Sequence, residues 1–238
     1  MLYVVGTPIG NLKDITERAR EVLRAVPVIV MESPQDSMRL VRAYALPQKE
    51  IIKYNERNRK KMTPRVLAAL REEDVAYITS AGMPGISDPG SDIVRLARDN
   101  GVPVSVVPGP SALTAALAVS GLPIREFSFI SFPPKKEGQL KKLFTDYAER
   151  KMTLVFFESP FRIVKTIAAL EKAVPDARVF VAKELTKLFE NSFEGTPADI
   201  MAQLAASSKN TKGEFVVVVM FAPASYVMSM PSPKEKKR

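Results

Sequence analysis

Short apolar, β-rich runs alternate along this chain with amphipathic stretches, and that βαβα order admits few folds: it calls for parallel sheet covered by helices. Residues 2–5 read as the first strand and 14–25 as the first helix, with Asp14 as N-cap and Glu17 completing a capping box. Strands then follow at 28–31, 50–53, 75–79 and 104–107, and helices at 34–45, 64–71, 91–100 and 112–120, the last with Ser111 as its cap. The texture changes after Leu122-Pro123. Strands at 127–132, 153–157, 178–183, 189–193 and 214–221 alternate less regularly with helices at 139–150, 160–173 and 197–206. The expected fold class is therefore α/β in two domains, a five-stranded mainly parallel sheet followed by a mixed sheet with helices. With a boundary near 121–125, the domains are 1–122 and 123–224, and 225–238 is a basic flexible tail.

Composition narrows the chemistry. The 238 residues include no Cys, no His and no Trp, which removes disulfides, thiolate nucleophiles, imidazole bases and zinc sites built on Cys or His. No carboxylate cluster has metal-ligand spacing, so no metal is expected. Proton transfer falls to Asp, Glu, Lys, Tyr or water. Lys and Arg total 35 against 26 Asp and Glu, a net +9 that would draw an anionic polymer, an acidic small molecule or a membrane surface. The amino terminus enters a strand without a signal-like segment, and no apolar run reaches the roughly 20 residues of a spanning helix. A cytoplasmic protein that does not cross a membrane is expected.

In open α/β sheets, ligands sit beyond the carboxyl ends of the strands. Three Gly/Pro-rich loops fall there: Gly6-Thr7-Pro8-Ile9-Gly10-Asn11, Ser80 to Gly90, and Pro108-Gly109-Pro110-Ser111-Ala112. None is a phosphate cradle, because G-x-x-x-x-G-K-[ST] is missing and Gly6-x-x-x-Gly10 lacks the dinucleotide spacing, which disfavours ATP and NAD.

These loops, with Phe157-Glu158-Ser159-Pro160 and Arg162 and with Glu184-Leu185-Thr186-Lys187, resemble the tetrapyrrole (corrin/porphyrin) methylase superfamily over nearly the whole chain. Within it the resemblance is to the branch that 2'-O-methylates a cytidine ribose in small-subunit rRNA. It implies S-adenosylmethionine between two α/β domains, and a homodimer. On the matching positions, the cofactor residues would be Pro8, Ser80, Gly82, Met83, Ile86, Ser87, Ser111, Ala112, Phe157 and Leu185. The chain departs from the rRNA branch at Ser80 (usually Asp), Met83 (usually Thr), Glu32-Ser33-Pro34-Gln35 (usually Glu-Asp-Thr-Arg), Asn55-Glu56-Arg57-Asn58 (usually His-Glu-His-Asn) and Phe161 (usually His).

A ribose hydroxyl needs a receiver for its proton, and with no His in the chain Glu32, at the end of the second strand, is the candidate catalytic base. It also reads as a plain acid ahead of a helix. Lys53, Tyr54, Asn55, Arg57 and Arg59 place an aromatic among cations, a pattern suited to phosphate contact with base stacking. Lys135 and Lys136, at a helix start where cations are unfavourable, and Arg162 complete the expected contacts to rRNA or the small ribosomal subunit. Two alternatives stay open: a methylase of a small anionic, tetrapyrrole-like acceptor, and a catalytically weakened RNA- or cofactor-binding homologue.

Overall fold

A computed structural model of the chain describes residues 1–87 and 90–221, with the backbone alone for Asp36. The basic tail and the loop residues Asp88 and Pro89 lie outside the described residues. Two compact units are present, Met1–Ala112 and the chain from Leu113 onward. The division falls at the first residue of a helix, ahead of the Gly121 to Arg125 stretch expected as the boundary.

The first unit carries β1 (Leu2–Val5), α1 (Glu17–Ala25), β2 (Val28–Met31), α2 (Pro34–Ala43), β3 (Glu50–Lys53), α3 (Arg59–Glu72), β4 (Val75–Ile78), α4 (Ser91–Asp99) and β5 (Val104–Val107). Its strands run in the order β3-β2-β4-β1-β5, every pair parallel. Connections β1-α1-β2 and β2-α2-β3 step one way along this order, and β3-α3-β4 and β4-α4-β5 step the other way. Right-handed crossovers must then put α1 and α2 on one face and α3 and α4 on the opposite face. The cores agree: Ala19, Leu23 and Leu40 pack with Ile29, Met31 and Ile78, while Val66, Leu70, Ile93 and Ala97 pack with Val28, Val30 and Tyr77. Alternate residues of β2 thus serve opposite cores, the period-two pattern of a strand buried on both faces.

The second unit carries α5 (Ala112–Val119, which begins at the division), β6 (Phe127–Phe129), α6 (Glu137–Glu149), β7 (Thr153–Glu158), α7 (Ile163–Ala173), β8 (Arg178–Lys183), β9 (Asn191–Gly195), α8 (Pro197–Ala205) and β10 (Phe215–Met220). Its sheet order is β6-β7-β10-β8-β9, with β6 and β7 parallel and the other pairs antiparallel. Residues of α6, α7 and α8 close one core over it, with Phe144, Phe156 and Phe215 among the largest buried side chains. Among the described residues, no helix is long and apolar enough to cross a membrane.

Several element bounds differ from the sequence reading for local reasons. Asp14 does not cap α1. Asn11 accepts from Lys13 N–H (3.0 Å) and starts a separate short 3-10 turn at Leu12–Asp14, after which Ile15 is extended. Thr16 then caps α1 through Ala19 N–H (3.2 Å) and makes Glu17 the first helical residue, so no capping box forms. Pro64 does not begin α3 but lies inside it, because the helix starts five residues earlier at Arg59, with Asn58 as its N-cap. Strand β6 stops at Phe129, its register with β7 ending there, and Ser131 takes φ +59°. Strand β9 begins at Asn191, past an exposed Phe189.

Candidate functional site

The neighbouring strands β2 and β4 diverge in their onward connections, β2 leaving toward one face and β4 toward the other. That divergence opens a crevice at their carboxyl ends. Met31 and Ile78 are register partners, so Glu32 and Thr79 leave the sheet side by side. Around this point the first unit assembles two adjoining structures, a set of joined loops and a groove.

The joined loops are those after β1, β4 and β5. Thr7 and Gly82 form an antiparallel bridge, Thr7 N–H to Gly82 O at 2.9 Å and Gly82 N–H to Thr7 O at 3.1 Å. Thr7 is fully buried, and Pro8 is buried beside it. Gly6 N–H donates to Val107 O at 2.9 Å, tying the β1 loop to the β5 loop. A Cβ on Gly6 would lie 2.7 Å from Gly109 Cα and 2.6 Å from Met83 Sδ, and one on Gly109 would lie 2.8 Å from Gly6 Cα. The two backbones are in direct contact, and only glycine fits either position. Gly82 is a glycine for another reason: its φ is +77°, while a Cβ there would meet only Ile9 Cγ2 at 3.4 Å and Pro110 O at 3.6 Å. Beyond this bridge Ser80, Ala81, Ile86 and Ser87 are exposed, Ile86 to 44%, and Met83 is half-buried over Gly6. Ser111 and Ala112 are half-buried where α5 begins.

The groove is a cavity of about 540 Å³ lined by Glu32, Lys53, Asn55, Glu56, Arg57 and Asn58. Its floor is locked by the two asparagines. Asn55 N–H donates to Asn58 Oδ1 (2.8 Å), Asn58 N–H to Asn55 Oδ1 (3.3 Å), Asn58 Nδ2 to Lys53 O (2.9 Å), and Asn55 Nδ2 to Glu32 O (3.3 Å). These bonds satisfy a turn that would otherwise leave polar backbone groups unpaired, and they fix the end of β3 to the end of β2. Glu32 therefore stands among the cations Lys53 and Arg57, and Glu56, not among the sequence candidates, adds a second carboxylate.

Other expected contacts are placed differently. Tyr54 is only 4% exposed and belongs to the core under α3 and α4, so its ring has no face to offer a base. Arg59 lies in the first turn of α3 and pairs with Asp92 of α4, which holds its guanidinium above the usual value mainly through that hydrogen bond.

In the second unit, Phe157 on β7 is half-buried with its ring edge-on to Phe129 (5.0 Å) and Phe132 (6.0 Å), and Leu185 is half-buried after β8. Arg162, expected at RNA, instead ties loops together. Its Nη2 donates to Pro133 O (3.0 Å) and Pro134 O (2.8 Å) and lies 3.5 Å from Glu158 Oε2. Glu158 is itself buried, and each of its carboxyl oxygens has a donor, Ser159 N–H (2.8 Å) and Thr166 Oγ1 (2.7 Å). Lys135 and Lys136 are exposed just ahead of α6. The loop after β8 is held by Lys187, whose Nζ bridges Glu184 (3.0 Å) and Glu214 (2.7 Å). Burial alone would push the Lys187 ammonium down and the Glu184 carboxyl up, but the two glutamates raise the former, and the Glu214 backbone N–H (2.8 Å) together with Lys187 lowers the latter. Among the described residues, no group of three or more acidic side chains could hold a metal.

The family model for Tetrapyrrole (Corrin/Porphyrin) Methylases matches residues 1–201. The chain is 40% identical over 219 residues to the ribosomal RNA small subunit methyltransferase I of Thermotoga maritima, covering 92% of this chain and 97% of that protein. It is 39% identical over 220 residues to the protein of the same name from Coprothermobacter proteolyticus, with 92% and 97% covered. Among solved structures, a cobalt precorrin-4 methyltransferase of cobalamin biosynthesis superposes with TM-score 0.68 at 22% identity, over 93% of this chain and 96% of that one. The uroporphyrin-III-C-methyltransferase of Thermus thermophilus gives TM-score 0.60 at 21% identity, with 97% and 99% covered. The structures share the fold, and the sequence match spans both units through α7 and into α8, so the chain belongs to the tetrapyrrole (corrin/porphyrin) methylases.

Proposed function

We propose that this protein is an S-adenosylmethionine-dependent methyltransferase that methylates the 2'-hydroxyl of a cytidine ribose in small-subunit rRNA. The observation that carries the reading is the groove at the carboxyl ends of β2 and β3, where a carboxylate stands among cations and amides in a chain matched almost end to end by rRNA methyltransferases.

The residues present fit such a cofactor. The bridged Thr7 and Gly82 and the contacting Gly6 and Gly109 form a wall without protruding side chains, and exposed Ile86 beside Ser80 and Ser87 offers an apolar face with polar edges to a purine nucleoside. When bound, S-adenosylmethionine supplies an electrophilic methyl on a sulfonium. The protein then has to hold the acceptor in line, roughly 3 Å away, and keep water out. Lys53 and Arg57 bind the phosphates that flank the acceptor ribose, and Asn55 keeps the end of β3 fixed to the Glu32 backbone. The Glu32 carboxylate would take the hydroxyl proton as the ribose oxygen gains the methyl and the methyl–sulfur bond breaks, the sulfur leaving as a neutral thioether. Phe157 and Leu185 keep their cofactor role as part of the proposal.

A homodimer and a cytoplasmic location belong to the same reading. The first is supported by Leu188 and Phe189, apolar side chains 89% and 70% exposed on the braced loop after β8. Analytical ultracentrifugation tests it. The reaction is tested by incubating the protein and labelled S-adenosylmethionine with small ribosomal subunits from cells lacking it. Label in a cytidine ribose is expected; unlabelled RNA, with label in a tetrapyrrole offered in a parallel incubation, would overturn the reading.

A further inference from the structure

The groove of the first unit supplies cations but no accessible aromatic ring, since Tyr54 is in the core. The second unit has the complementary set. Phe161 is 95% exposed at the apex of a turn closed by Arg162 N–H and Ile163 N–H, both donating to Ser159 O (3.1 and 3.0 Å). Phe132 is 55% exposed and rests edge-on against Phe157. The two aromatic loops are fastened together: Phe157 N–H donates to Ser131 O (2.6 Å), and the Arg162 guanidinium holds the carbonyls of Pro133 and Pro134. Lys135 and Lys136 follow those prolines directly, exposed at the start of α6, with no side chain capping the helix. Glu137, the acid of that first turn, is paired with Lys172 at 3.0 Å, so the local field is positive.

A phenylalanine this exposed contributes almost nothing to folding, and exposing it in water is unfavourable. Beside cations on a braced loop, a ring face fits a planar base whose phosphate is within reach of an ammonium. A small acceptor is held by enclosure, whereas rings as exposed as Phe161 and Phe132 present open faces. We propose that Phe161 and Phe132, with Lys135 and Lys136, form a stacking platform for single-stranded RNA. In the proposed reaction it would hold rRNA nucleotides outside the catalytic groove, as positioning residues. The proposal rests on the rRNA reading for its biological ligand.

The test is binding of a fluorescent ten-nucleotide single-stranded RNA to the full-length protein over a series of salt concentrations, beside methylation of small subunits. Stacking predicts that Phe161→Ala weakens binding roughly ten-fold with an unchanged salt slope, that Phe161→Trp restores it, and that Phe161→Leu does not. Removing Lys135 and Lys136 should instead flatten the slope by about 0.7 for each phosphate no longer neutralised. Melting temperature should not change in the Phe161 variants. Wild-type affinity in Phe161→Ala, or full affinity in Phe161→Leu, would overturn the platform. So would a Phe161→Ala protein that dissociates into monomers with RNA affinity intact, which would make this surface an interface between copies. If small subunits are not methylated but the Phe161 dependence holds, the rRNA reaction fails and the platform stands. The reverse result removes the platform alone.

Discussion

Placing an alanine at Gly6 tests whether the loops after β1 and β5 are held together by backbone contact. The new Cβ would lie 2.7 Å from Gly109 Cα and N and 2.6 Å from Met83 Sδ. Met83 can swing aside, but Gly109 is backbone whose partner Gly6 N–H is itself bonded to the end of β5. Relief therefore means moving two loops apart, an overpacking cost of about 1–3 kcal/mol. At about 2–4 °C per kcal/mol for a chain of this length, calorimetric unfolding should fall by about 2–12 °C. Affinity for S-adenosylmethionine should fall with it, because the displaced loops form the proposed cofactor wall. Adding Met83→Ala removes the sulfur contact and should recover only part of the loss. Gly138→Ala, at a helical site with nothing within 4 Å of the new Cβ, is the control and should not destabilise. Full recovery in the Gly6→Ala/Met83→Ala protein would show that the side chain, not the backbone contact, excludes alanine. Wild-type unfolding and affinity in Gly6→Ala alone would refute the reasoning altogether.

Glu32→Gln keeps shape but not basicity and should lower turnover by roughly 10²- to 10⁴-fold with cofactor affinity nearly unchanged. Glu56→Gln is the companion measurement, and a larger loss there would transfer the base to Glu56. Phe157→Ala should weaken S-adenosylmethionine binding in calorimetry, and an unchanged value would remove Phe157 from the cofactor site. Restoring the rRNA branch's residues by Ser80→Asp and Met83→Thr should change single-turnover rates if this loop is the cofactor loop. The Lys187 bridge makes a pH prediction. The lowered Glu184 pKa stabilises the fold above its ordinary 4.5 and ceases to do so as pH falls, and the raised Lys187 pKa stabilises below its ordinary 10.5 and ceases to do so as pH rises. Lys187→Met should therefore cost stability at pH 7 and less at pH 3, by urea titration. An equal cost at both would show that packing, not charge, is what Lys187 provides.

The βαβα order and the parallel sheet are legible in the sequence, and once the strand order is known the crossovers leave one choice of face for each helix. The order itself leaves no local mark, because β2 is apolar on both faces, Val28 and Val30 serving one core and Ile29 and Met31 the other. The groove is half legible. Glu32, Lys53, Asn55 and Arg57 each stand out by residue type, and they share one cavity because β2 and β3 are neighbours. Tyr54 misleads because strand alternation continues one residue past Lys53, carrying its ring inward, a matter of where β3 ends rather than of composition. Arg59 and Arg162 mislead for a common reason. An arginine's charge is visible in a sequence, but the carboxylate or carbonyl that occupies it comes from another element, Asp92 on α4 in one case and Pro133 and Pro134 before α6 in the other. The pairing of Gly6 with Gly109 leaves no local mark, since each glycine answers to the other across the sheet.

The Thr7–Gly82 bridge also bears on binding thermodynamics and exchange. Both amides are already bonded to protein before any ligand arrives, and Gly6 N–H is bonded as well. A ligand settling on these three residues has no loop there to freeze, so the ordering entropy of association falls on the ligand's own torsions. The same bonds should make these three amides exchange with solvent deuterium as slowly as the strands they extend, whether or not the site is filled. In the proposed reaction, departure of product would then be governed by the ligand's contacts and not by these residues opening, which gives the first unit the character of an anvil.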